Sequence, residues 1–107
     1  MNEEQVRILD YLNQNAIGYE NRKSSSEIRD ALNLESGGPT NEHIRDLIRD
    51  MILNHGCLIG SLMFKKGYWI IQNEVELEMV INHLNSRADG VRERANALQQ
   101  NWRNRDE

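Results

Sequence analysis

A mainly helical domain carrying one small β-hairpin is what this sequence predicts, and three observations predict it. Ile44, Leu47, Ile48, Met51 and Ile52 recur at i, i+3, i+4, i+7 and i+8, the stripe of a helix lying against a core. After an Asn54-His55-Gly56 stop come two stretches rich in strand formers, residues 57–61 and 68–72, and the segment between them ends in Lys65-Lys66-Gly67, with the glycine placed to close a turn. From Asn73 onward Leu77, Ile81, Leu84, Ala88, Val91, Ala95, Leu98 and Trp102 alternate steps of four and three, the repeat of about 3.5 residues that marks a coiled-coil seam.

The elements follow in order. Asn2 is placed to cap a first helix, with Glu3 and Glu4 at the positive end of its dipole. Val6, Leu9, Leu12 and Ala16 form its stripe, widened by Ile8, and Gly18 ends it. Residues 19–26 are polar and turn-like. Ser24-x-x-Glu27 then fits a capping box opening a short second helix that buries Ile28, Ala31 and Leu32. A helix of that length is marginal in isolation, so packing must hold it. Ser36-Gly37-Gly38-Pro39 is the strongest punctuation in the chain, and Thr40 is a natural cap for the third helix. Asn73 caps the last one, which is predicted as a single long helix to Trp102. Gly90 within it costs about 1 kcal/mol relative to alanine and marks a bend or a close helix approach.

A helix followed by a compact hairpin is the centre of a winged helix-turn-helix, and that is the predicted architecture. Residues 1–73 make the winged-helix domain and 74–102 the C-terminal helix, whose first half packs on the core and whose second half dimerises; 103–107 is a frayed tail. The dimer expectation comes from length. The second half of the seam, Val91, Ala95, Leu98 and Trp102, extends beyond what a small three-helix core covers, at about 1.5 Å per residue. A two-fold dimer would set two reading helices on successive turns of a palindromic site.

Composition sets the limits. The 107 residues suit one domain with a modest core. No apolar run approaches the roughly 20 residues that span a bilayer, and the Met1-Asn2-Glu3-Glu4 start lacks the basic and apolar regions of a secretion signal. The single cysteine, Cys57, forms no internal disulfide, so a reducing cytoplasm is the expected setting. The net charge of −4 argues against a protein that coats nucleic acid generally. Residues 41–72 are the one net-positive segment, by a single charge.

The third helix, Gly56, the strand ending at Ser61, Lys66-Gly67-Tyr68-Trp69-Ile70 and the acidic helix start through Glu78 together resemble the winged-helix proteins encoded by bacteriophages and prophages, which often continue into a helix with a stretch like Leu84-x-Ser86-Arg87. The resemblance covers about residues 44–98. It implies a DNA-binding fold used in phage replication or transcription control. The family also includes modules repurposed for protein contacts.

Such a fold sends its third helix into the major groove and its hairpin to phosphate or minor groove. With Ile44 at the centre of the buried face, Glu42, Asp46, Arg49 and Leu53 point outward, and Arg45 lies on the flank. Arg45 and Arg49 are therefore the expected groove contacts, with Asn41, Lys65 and Lys66 on the backbone or groove edge. The same face also reads as a solvated surface laced with weak pairs, Glu42 with Arg45 and Asp46 with Arg49. The hairpin lysines also read as guards against edge-to-edge pairing. The rival expectation is a protein-interaction module that grips a host or phage protein through the mixed-charge helix, Leu53 and the hairpin. Catalysis is not expected. His43, His55 and His83 stand in separate elements without ligand spacing, so no metal or cofactor is expected, and Cys57 opens an apolar strand as an inert buried thiol.

Overall fold

A computed structural model describes residues 1–62, 66–86 and 92–105. The chain is mainly helical, with a small two-stranded antiparallel sheet. The order is α1 (Glu3–Asn15), a single 3-10 turn (Tyr19–Asn21), α2 (Ser25–Leu32), α3 (Glu42–Asn54), β1 (Ile59–Ser61), β2 (Tyr68–Ile70), α4 (Glu74–Asn85) and α5 (Arg92–Asn104). The helix starts obey local chemistry. The side chains of Asn2 and Ser24 each accept from the backbone three residues on and complete capping boxes with Gln5 and Glu27, while Asn73 accepts from the Glu76 amide.

The core is one cluster. Ile8 and Leu12 of α1 and Ala16 just after it meet Ile28 of α2, the stripe Ile44, Leu47, Ile48, Met51 and Ile52 of α3, and the buried Trp69. The stripe of α1 differs from expectation: Gln5 is buried with Ile8 and Leu12, and Val6 faces solvent. Gln5 is tolerated there because its side-chain amide donates to Leu47 O at 3.1 Å and to Asp50 Oδ2 at 2.8 Å. Ala31, expected in the core, is exposed.

The strands pair in the register Ile59↔Ile70, Gly60↔Trp69 and Ser61↔Tyr68. They are shorter than the stretches of strand formers because both ends are claimed by helix termini. The Cys57 amide donates to Met51 O, and the Gln72 amide donates to Glu76. The outer edge of β2 is covered by the connection between α1 and α2. Ile70 donates to Ala16 O at 2.7 Å and accepts from Gly18 at 2.9 Å, and Tyr68 and Lys23 exchange a pair of backbone bonds at 2.7 and 2.9 Å. Gly60 lets the hairpin lie flat on the indole. A Cβ there would sit 2.8 Å from Trp69 ring carbons and 3.0 Å from Val80. Gly60→Ala is therefore expected to cost about 1–3 kcal/mol through overpacking, read as a lower midpoint in a thermal melt.

Glu76 ties three segments together. Its carboxylate accepts from the Tyr19 amide (2.9 Å), the Gln72 amide and side-chain amide (3.1 Å each) and the Trp69 indole (3.1 Å). Burial pushes this carboxyl up, and the four donors together outweigh it, holding Glu76 below the ordinary carboxylate range.

The predicted long C-terminal helix is two helices. α4 ends at Asn85, and Ser86 closes it. Glu74, Leu77 and Glu78 at the start of α4 share a cleft with Gln99 and Trp102 near the end of α5, so the two run antiparallel and side by side. Gly90 and Val91 lie outside the described residues. α5 also packs on α3, clasped by Asn101, whose side-chain amide donates to Ile52 O (3.1 Å) and Cys57 O (3.0 Å). Ala95 is 2% exposed and Leu98 0%, both within the chain's own core. At Ala95 and Leu98 the seam is thus filled from within one molecule. A hairpin of two short helices satisfies the same alternation as a dimer, without the entropy cost of association. α5 continues to Asn104, two residues into the stretch expected to fray.

Candidate nucleic-acid interface

The outward face of α3 follows from its buried stripe. With Ile44, Leu47, Ile48, Met51 and Ile52 inside, Arg45, Asp46 and Arg49 are exposed, and Leu53 is half-buried. Of the pairs expected along this helix, Arg45 does attract Glu42, and the two meet at Thr40. Glu42 turns back to accept from the Thr40 hydroxyl at 2.7 Å, which, with the Thr40 and Glu42 amides, holds its carboxyl below the ordinary value. Arg45 donates to the same hydroxyl at 3.4 Å. Arg49 reaches Glu93 of α5 at 3.7 Å, with side chains 51% and 76% exposed, an ion pair worth little in water.

Asn41 has a structural role that the sequence did not show. It is 6% exposed and adopts a left-handed backbone (φ 57°), which asparagine tolerates better than most residues, and this turns the chain into α3. Its side-chain amide donates to Ser25 Oγ at 3.0 Å and Ser26 Oγ at 3.1 Å, and its carbonyl oxygen accepts from Arg29 at 2.9 Å. These three bonds fix α2 against α3 and make Asn41 a structural hinge at the edge of the groove. Thr40, expected as the cap of α3, lies one residue outside that hinge.

These elements enclose an open groove of about 480 Å³. One wall is the start of α2, with Ser24, Ser25 and Ser26, followed by Pro39 and Thr40. The helix α3 supplies Arg45 and Arg49, the hairpin Ser61, Lys66, Gly67 and Tyr68, and the far side His83 of α4 and Arg94 of α5. Four lining residues are Arg or Lys, and no carboxylate is among the described residues that line it. In a chain of net charge −4 this lining is locally basic, with Glu42 and Glu93 standing just beside it. Lys66 is exposed at the groove mouth, and Lys65 lies outside the described residues.

The hairpin is held beside the groove by Gly67. Its φ of 136° suits glycine alone, and a Cβ there would meet the Arg22 side chain at 2.7 Å. Arg22 stacks over the Tyr19 ring, 4.3 Å from its centroid, and Tyr19 meets Trp69 edge-on at 5.2 Å. Arg22 therefore buttresses the hairpin from behind.

Of the predicted contacts, the groove unites Asn41, Arg45, Arg49 and Lys66. Tyr68 and Arg94 were not singled out in the sequence. Tyr68 read there as a strand former within the stretch that carries the resemblance, not as a contact. Arg94 was hidden by taking residues 74–102 as one helix, which carries it far from α3; a hairpin of helices brings it back. Of the dimerisation residues, Ala95 and Leu98 are core, Trp102 is half-buried against it, and Val91 lies outside the described residues. His43 contacts Glu4 and His55 contacts Asp50, each at 3.1 Å, and burial pushes the Cys57 thiol up, away from reactivity. Among the described residues, no helix is long and apolar enough to cross a membrane. No family model, curated protein or solved structure matches the chain.

Proposed function

We propose that this protein is a winged helix-turn-helix module that binds double-stranded DNA, with α3 as the reading helix and the β1–β2 hairpin as the wing. The observation that carries the reading is the groove whose lining holds Arg45, Arg49, Lys66 and Arg94 and no described carboxylate. The element order supports it. Three helices precede a hairpin, and the α1–α2 connection bridges the edge of β2. Arg45 and Arg49 face outward with the reach to contact guanine edges or phosphates, and Lys66 is placed for the backbone. The resemblance to phage and prophage winged-helix proteins gives the biological setting of the proposal, control of replication or transcription. One chain suffices for this reading, since Ala95 and Leu98 are already buried within it.

The second reading, a protein-binding module, is favoured by one observation. Asp46 is exposed between the two arginines, and Glu93 stands beside Arg49, where phosphate would be repelled.

Fluorescence anisotropy with a labelled random duplex separates the two. Neutralising three to four phosphates gives a salt slope of about three, so affinity should fall about 60-fold between 50 and 200 mM salt. Absence of binding at 50 mM salt would transfer the groove to the protein-binding reading.

A further inference from the structure

The reading helix does not hold its second arginine alone. Arg49 Nη2 lies 3.7 Å from Glu93 Oε2, and the carboxylate comes from α5, not from the helix that carries the arginine. Its place is built into the fold. Ala95 and Leu98 are locked in the core, and Asn101 donates to Ile52 O and Cys57 O, so α5 is fixed against α3 in both rotation and height. Glu93 therefore stands beside the outward face of α3, next to a groove whose described lining holds no carboxylate of its own. Both side chains are more than half exposed, so the pair opens at little cost.

We propose that Glu93 is a specificity-determining residue, which turns Arg49 away from phosphate and towards the edge of a guanine. The proposal deepens the duplex-binding reading and rests on it. A phosphate brought to Arg49 carries a full negative charge towards Glu93 and is repelled. Guanine O6 and N7 are uncharged acceptors and meet no such penalty. A guanidinium has five N–H donors, and a contact at Nη2 leaves donors over for a base edge. The carboxylate thus weakens binding to any duplex, and weakens it least where a guanine lies at Arg49. That difference is discrimination.

The experiment measures duplex affinity by fluorescence anisotropy for wild type, Glu93→Gln, Arg49→Gln and the double variant. Two probes are used, a random duplex and the duplex that wild type enriches from a randomised pool. Glu93→Gln, nearly isosteric at an exposed position, is expected to bind the random duplex about two- to five-fold more tightly. Its salt slope there should rise by up to about one unit, because Arg49 becomes available to phosphate. Its preference for the enriched duplex over the random one should shrink. In the Arg49→Gln background, Glu93→Gln should change little. A random-duplex affinity unchanged in Glu93→Gln overturns the proposal. So does a gain just as large without Arg49, which is a general field effect, and so does an undiminished preference or a pool from which wild type enriches no sequence. Those outcomes leave the duplex reading standing. No binding by any of the four proteins at about 50 mM salt removes that reading, and the role of Glu93 with it.

Discussion

Leu98→Asp is expected to unfold the domain. Leu98 is fully buried in the core, on the helix that packs against both α3 and α4. Truncating such a leucine to alanine costs about 2–5 kcal/mol. A carboxylate in its place adds the penalty of an unpaired buried charge, several kcal/mol more. The total rivals the roughly 5–15 kcal/mol that stabilises a domain. Far-UV circular dichroism at 25 °C should show the helical signal largely lost, and Leu98→Ala should lower the urea midpoint without changing the mass in light scattering. Were Leu98→Asp to keep the wild-type melt while its mass halved, Leu98 would be an intersubunit contact and the packing of α5 described above would be wrong.

Glu76→Ala should be the most damaging polar substitution. It leaves the Tyr19 and Gln72 amides, the Gln72 side chain and the Trp69 indole without their acceptor. Stranding buried donors costs about 1–3 kcal/mol each at most, and partial rehydration tempers the sum, so a loss of about 3–4 kcal/mol is expected from chemical denaturation. The same residue sets an acid limit. A carboxyl held below its ordinary value of 4.5 stabilises the fold above that value, and the contribution disappears as pH falls through the folded value. Asp50, held down first by the Gln5 side chain and then by Asn54, acts in the same direction. Stability should be level at neutral pH and decline below about 4.5. In Glu76→Gln, which keeps shape but cannot ionise, the acid decline should be shallower; an acid limb identical to wild type would remove Glu76 from the cause.

The sequence made some of this legible for identifiable reasons. Capping chemistry is local, so Asn2, Ser24 and Asn73 could be read directly. The stripe of α3 is long enough to fix its buried face, and with it the outward placement of Arg45 and Arg49. What failed was long-range. A four-three alternation reports only that a face is apolar, and it fits a partner molecule as well as a returning helix, so Ala95 and Leu98 were assigned to a second copy. Asn41 read only as a backbone or groove-edge contact because its partners, Ser25, Ser26 and Arg29, come from another helix. Glu76 looked like one of three acidic residues at a helix start, since nothing nearby reveals that an indole and a distant amide converge on it. The groove itself is assembled from segments as far apart as Ser24 and Arg94, which no local pattern joins.

The clasp of α5 on α3 has a consequence for the order of events during translation. The first three helices and the hairpin leave the ribosome before α5, which packs on α3 and whose Asn101 closes over Ile52 and Cys57. A nascent chain stalled before residue 92 would therefore hold an open hydrophobic flank, the kind of surface that chaperones recognise and that nucleates aggregation.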